Sequence, residues 1–136
     1  MKVLHVISDE NIGGAGVLLT TLLRNFDPMR VESAVALPEG SALCDRIQRL
    51  GVPICELRYP CDRFSRASVR ELCRVIQEES ADIVHANAAL SARIAARRCG
   101  VAVLHTAIAV SDQRASGAWE RCEGSAAFVT AHFPTA

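Results

Sequence analysis

Met-Lys-Val-Leu-His-Val-Ile-Ser (1–8), Asp-Glu-Asn-Ile-Gly-Gly-Ala-Gly (9–16) and Val-Leu-Leu-Thr-Thr-Leu-Leu (17–23) decide the fold. Val3 to Ile7 is a short apolar run, read as a buried strand. Asp9 to Gly14 breaks it, and Val17, Leu18, Leu19, Leu22 and Leu23 recur at helical spacing. Strand, glycine loop and helix are the opening of a parallel α/β domain. Such a loop aims backbone N–H groups off the carboxyl edge of the sheet, a berth for phosphate or a sugar hydroxyl. The dinucleotide fingerprint G-x-G-x-x-G fails here, because Leu19 stands where the third glycine belongs. Val35-Ala36-Leu37 runs into Pro38 without the acidic residue that a ribose would need, and no Walker Lys-Ser/Thr follows the glycines. Nicotinamide binding is not expected. The plain alternative is that Gly13 and Gly14 only permit a tight turn.

A chain of 136 residues, half of them apolar, is expected to be one domain with a substantial core. The formal net charge is zero, which argues against a nucleic-acid footprint or a polybasic membrane anchor. No apolar run is long enough for a transmembrane helix and no signal-peptide pattern follows Lys2, so a cytoplasmic location is expected. Cys44, Cys55, Cys61, Cys73, Cys99 and Cys122 are scattered, without a C-x-x-C pair, and read as reduced structural thiols rather than a metal site.

Outward from the first unit, Val31 to Leu37 reads as a second strand. Ser41 is the expected N-cap of a short helix on Leu43, Ile47 and Leu50, closed by Gly51. Pro53 to Leu57 is a third strand, and Arg58 to Arg66 is irregular, charged and expected to be mobile. Ser68 is expected to open the longest helix, with Val69, Leu72, Cys73 and Ile76 buried. Asp82 to Asn87 is a fourth strand. A helix follows on Leu90, Ile94 and Ala95, with Ala88, Ala89, Ala92 and Ala96 allowing close packing. Arg97, Arg98 and Cys99-Gly100 form its last turn, and Val101 to His105 is a fifth strand. The order β-α-β-α-β-α-β-α-β implies a Rossmann-like parallel sheet with helices on both faces. Beyond Thr106 the periodicity decays. Ala107 to Ala136 reads as an irregular tail, although Ala-Ile-Ala-Val could prolong the fifth strand.

Ligands of an open parallel sheet gather at the carboxyl ends of its strands. The candidates there are Ser8 to Gly14, His85 with Asn87, and His105 with Thr106. Histidine suits proton transfer and hydrogen bonding to sugar or phosphate near neutral pH. The bland alternative for His85 is a satisfied core histidine, and His5, in mid-strand, reads as structural. No paired carboxylates, Ser-His-Asp set or metal-ligand cluster emerges, and Arg93, Arg97 and Arg98 read as a solvated helix face.

Residues 1–8 with Ile12-Gly13-Gly14-Ala15 resemble the start of retaining glycosyltransferases of family 4, which have the GT-B fold. The resemblance continues through Leu37-Pro38-Glu39-Gly40-Ser41, Leu50-Gly51-Val52-Pro53, Ala81 to Asn87 and Leu90 to Arg97, covering residues 1–106 in order. It implies transfer of a sugar from a nucleotide-sugar, as co-substrate, to an acceptor, with no cofactor and no metal. Residues 1–106 would be the acceptor-side domain. Lipid-linked or cell-envelope glycans are common acceptors in the family, so peripheral contact at the inner face of the membrane goes with the resemblance. Gly13 and Gly14 match the loop that approaches donor phosphate and acceptor. His85 matches the first histidine of a His-x-His strand end, and Thr106 follows the fifth-strand histidine. Asn87 replaces the second histidine, and an amide hydrogen-bonds hydroxyls but does not titrate. Gly13, Gly14, His85, Asn87 and Thr106 are thus the expected substrate-binding residues, clustered at one sheet edge.

The C-terminal domain that holds the nucleotide in the family has no counterpart here. A truncated chain, inactive alone, is therefore expected; a non-catalytic α/β ligand-binding module is the alternative. The family's fifth strand commonly continues His-Thr-Arg-His-Cys, and one lost base after Thr106 converts that into the Ala107-Ile108-Ala109 observed. A frameshifted tail is expected on that basis, and sequencing the gene decides it.

Overall fold

The computed structural model describes residues 1–109 and 126–132. Six strands form one sheet in the order β3-β2-β1-β4-β5-β6. The strands are β1 (Lys2–Ile7), β2 (Glu32–Pro38), β3 (Ile54–Leu57), β4 (Ile83–Asn87), β5 (Ala102–Ala109) and β6 (Ala126–His132). The first five are mutually parallel and β6 runs antiparallel to β5. The helices are α1 (Gly14–Asn25), α2 (Cys44–Gln48), α3 (Arg66–Glu78) and α4 (Leu90–Cys99). The expected Rossmann-like α/β architecture, a parallel sheet with helices on both faces, is the one found.

Strand alternation divides the core. Leu4, Val6, Ala34, Ala36, Val84 and Ala86 point to one face, under Val69, Leu72 and Ile76 of α3 and Ala92, Ala95 and Ala96 of α4. Ile7, Val35 and Leu37 point to the other, with Leu19 of α1 and Ile47 of α2. The alanines of α4 bring its axis close to the sheet and to α3, and Gly100 ends it in the left-handed conformation with φ 67°.

Several local expectations are corrected. Ser65, not Ser68, caps α3: its hydroxyl accepts from the Ser68 N–H, so the helix starts earlier and Ser68 is buried inside its first turn. Ser41 does not cap α2 directly; it closes a turn two residues ahead, where Oγ accepts from the Leu43 N–H. Ala88 lies outside α4, in the left-handed region with φ 50°.

The tail is not irregular where it is described. Residues 107–109 continue β5, and Ala126–His132 pairs along its length, with Ala109 opposite Ala126 and Val103 opposite His132. The physical reason is that a ladder satisfies backbone groups whatever the side-chain periodicity. Cys122, expected to be a reduced structural thiol, lies outside the described residues, as do Trp119 and Phe133 of the tail.

Candidate functional site at the carboxyl edge of the sheet

All five parallel strands end on one edge. Ile7, Asn87 and Thr106 stand level there, because Ile7 pairs with Asn87 and Asn87 with Thr106. Gly13 and Gly14 begin α1 just beyond β1.

His85 lies two residues deeper, level with His5 and Leu104. It is 3% exposed, and both ring nitrogens are engaged, Nδ1 at 2.9 Å from Nδ1 of His5 and Nε2 at 2.8 Å from Thr106 Oγ1. One N–H must lie between the two Nδ1 atoms. His5 Nε2 is buried without a partner among the described residues. A bare acceptor there costs less than a bare N–H, which favours the proton on His5 Nδ1. His85 then accepts at Nδ1 and donates its Nε2–H to Thr106. Burial pushes the His5 imidazole down to about 3, helped by the neighbouring His85, and His85 down to about 4, with His105 adding to the effect. Both rings are neutral at physiological pH, and neither is placed to exchange protons with a ligand.

Asn87 is 2% exposed, and its Nδ2 is buried with no partner among the described residues. It faces the same side of the sheet as Ile7, the side that α1 covers. The next residue, Ala88, holds its left-handed backbone between two neighbours. Its N–H donates to the Thr106 carbonyl at 3.2 Å, and its carbonyl accepts from Ser8 Oγ at 3.4 Å. Such a conformation costs a non-glycine residue about 1–2 kcal/mol, and strain of this kind collects at ligand sites.

The first turn of α1 is open. Gly13 is its N-cap in extended conformation, with no side-chain cap and no acidic residue in the first turn. The N–H groups of Gly14, Ala15 and Gly16 have no acceptor among the described residues. Neither Gly13 nor Gly14 has a positive φ, so a strained turn does not explain them. Gly16 is closely packed: a Cβ there would stand 2.7 Å from Leu43 Cδ2, so the buried Leu43 side chain would have to shift. By contrast, the first turn of α4 is closed, because Leu90 and Ser91 donate their N–H groups to the Asp62 and Cys61 carbonyls.

A cleft of about 840 Å³ opens over the ends of β1, β2 and β3. Ser8 to Asn11, Glu39, Arg58, Tyr59, Asp62 and Arg63 line it. Of the expected region Ser8 to Gly14, only the first half reaches this cleft, and His85, Asn87 and Thr106 do not line it. The β3–α3 residues were expected to be mobile, yet this loop is tied down. Glu71 accepts the Arg58 and Tyr59 N–H groups at 3.1 and 3.2 Å. Ser91 Oγ accepts from the Ser65 N–H and donates to the Arg63 carbonyl at 2.6 Å, and Cys61 is buried beneath.

The sequence model of the glycosyl transferase 4-like domain family matches residues 13–132. The chain belongs to this family. No curated protein matches it. The fold of this glycosyl transferase 4-like domain is similar to that of a protein from Listeria monocytogenes assigned as a UDP-N-acetylglucosamine 2-epimerase. There the TM-score is 0.56 at 15% identity, covering 76% of this chain and 29% of that one. Glycosyltransferase VinC, solved in complex with DTDP, gives 0.56 at 12% identity, with 76% and 33% covered. Glycinamide ribonucleotide transformylase 1 from Symbiobacterium toebii gives 0.54 at 17%, with 83% and 54% covered. At these identities the likeness is one of fold. The chain spans about a third of the length of the first two.

In this glycosyl transferase 4-like domain, sequence reasoning missed Glu39, Arg58, Tyr59, Asp62 and Arg63. The signal was available for two of them, since Glu39 and Arg58 each directly follow a parallel strand. Among the described residues there is no group of three or more His, Cys, Asp or Glu able to hold a metal, and no helix long and apolar enough to cross a membrane.

Proposed function

We propose that this chain is the acceptor-side domain of a glycosyltransferase that moves a sugar from a nucleotide-sugar to a hydroxyl-bearing acceptor. One observation carries the reading: in a member of the glycosyl transferase 4-like family, an open cleft at the carboxyl edge adjoins the uncapped first turn of α1. Carboxylates suit the cleft to sugar hydroxyls, because Asp9, Glu10 and Glu39 accept hydrogen bonds strongly. The free N–H groups of Gly14, Ala15 and Gly16 suit the phosphates of a donor approaching from a facing domain. Asn87, buried and off the lining of the cleft, stands behind this edge with an amide still to be satisfied. Within this reading His85 and Thr106 support Asn87 from below rather than touch substrate. The donor is a co-substrate, no metal is required, and a lipid-linked or cell-envelope glycan is the acceptor class that the family suggests.

Retention of a panel of monosaccharides and short glycans by the purified chain tests this. Binding of at least one member is expected, weakened roughly tenfold by Glu39→Ala or Asp9→Ala. A panel with no binder, or a binder indifferent to both substitutions, overturns the acceptor-side reading.

A further inference from the structure

Beside the carboxyl-edge cleft lies a second groove of about 630 Å³, between the end of β3 and the outer face of α3. Arg58, Arg70 and Arg74 line it with Tyr59, Glu56 and Glu71. The two spaces adjoin at Arg58 and Tyr59, which line both.

Their charges differ in sign. The cleft carries the carboxylates of Asp9, Glu10, Glu39 and Asp62 against Arg58 and Arg63, and Arg63 is already paired with Asp62 at 3.1 Å. A phosphate would be repelled there. In the groove three guanidiniums face two carboxylates, and those of Glu71 are committed to the Arg58 and Tyr59 N–H groups. Glu56 accepts from the Cys44 thiol, at 3.9 Å. Arg74 is shared with Glu78, both of whose oxygens lie 2.8 Å from its Nη1. Arg58 and Arg70 have no carboxylate partner among the described residues. Arg70 and Arg74 stand one helical turn apart on α3, so two planar forks can meet one anion from the same side.

We infer that the groove is the phosphate subsite of a two-part acceptor, whose sugar lies in the cleft and whose adjoining phosphate or diphosphate lies among Arg58, Arg70 and Arg74. This rests on the acceptor-side reading and narrows its substrate class to phosphorylated sugars, free or carried on a lipid. On the acceptor-side reading the free N–H groups at the α1 terminus are already assigned to the donor's phosphates. The α4 terminus is occupied by loop carbonyls.

Inorganic pyrophosphate, titrated into the whole chain and followed by amide shifts, reads the groove directly. Shifts at Ala67, Arg70 and Glu71 are expected, with affinity falling at least tenfold in Arg70→Ala/Arg74→Ala and falling with salt. Within the sugar panel, each sugar 1-phosphate should bind at least tenfold more tightly than its parent sugar, and Arg70→Ala should erase that difference while parent-sugar binding persists. Sedimentation with phosphatidylcholine vesicles, with and without phosphatidylglycerol, separates the sources. Arg70-dependent retention competed by pyrophosphate assigns a lipid-borne phosphate; soluble binding without retention assigns a free sugar phosphate. Shifts confined to Gly14 to Gly16, or pyrophosphate and sugar-phosphate affinities unchanged by the double substitution, overturn the inference. Parent sugars that still bind in that case leave the acceptor-side reading standing.

Discussion

His5 and His85, eighty residues apart in sequence, face each other across β1 and β4 with their Nδ1 atoms 2.9 Å apart and no solvent access to speak of. Burial depresses both, to about 3 and about 4, against 6.5 for a free imidazole. The unfolded chain therefore binds protons that the folded chain refuses. The stabilisation is complete above about pH 6.5 and is lost as pH falls towards 4 for His85 and 3 for His5. Each histidine contributes a slope of roughly 1.4 kcal/mol per pH unit inside its window. Urea midpoints should be flat from pH 8 to 7 and fall steeply from pH 6 to 5. A midpoint that does not move over that lower interval would show that the pair is not buried neutral.

Gly16 packs on Leu43, itself fully buried, with no room for a methyl group. Gly16→Ala should destabilise the fold by about 1–3 kcal/mol through overpacking. Gly13→Ala has 3.6 Å of clearance to Asp9 and should cost much less. Equal urea midpoints for the two variants would contradict this. Adding Leu43→Val to Gly16→Ala should recover part of the loss, as contacting residues couple.

Ala88 holds φ 50° between the Ser8 hydroxyl and the Thr106 carbonyl. Glycine relieves the left-handed strain but enlarges the unfolded ensemble, leaving a net gain of roughly 0.5–1 kcal/mol. Ala88→Gly should thus raise the thermal midpoint, and Ala88→Val should lower it. A glycine variant less stable than the parent would mean the strain is not there.

Transfer is expected to need more than this chain. The proposed mechanism divides donor and acceptor between facing domains, and the rate comes from holding both in one geometry. The 136-residue chain purified alone should leave labelled nucleotide-sugars intact in the presence of every acceptor that it binds. Turnover above background would place the complete reaction within these residues.

The fold was legible because its signals are local. Val3 to Ile7, the glycine loop and the leucines of α1 are one unit within the first 23 residues, and each later βα unit repeats the same change of period. Capping was read less well, since Ser41, Ser65 and Ser68 are chemically alike and only backbone geometry chooses among them. β6 was not legible at all. Its partner is β5, and a segment as alanine-rich as Ala126–His132 has too weak an alternation to announce a strand before the ladder forms.

The candidate site divides along the same line. Sequence by itself determined that Gly13, Gly14 and Asn87 end or follow parallel strands, because chain order in a βα repeat dictates which loops share an edge. Thr106, expected there too, lies inside β5, level with Asn87. Only the tertiary structure decided which of them meet a ligand. Register set His85 two residues below that edge and spent both of its nitrogens on His5 and Thr106. Packing of the β3–α3 loop against Glu71 and Ser91 put Arg58, Tyr59 and Arg63 around the open cleft. Those contacts join residues 12 to 28 positions apart, and no local pattern of charge or hydrophobicity encodes a hydrogen bond over that distance.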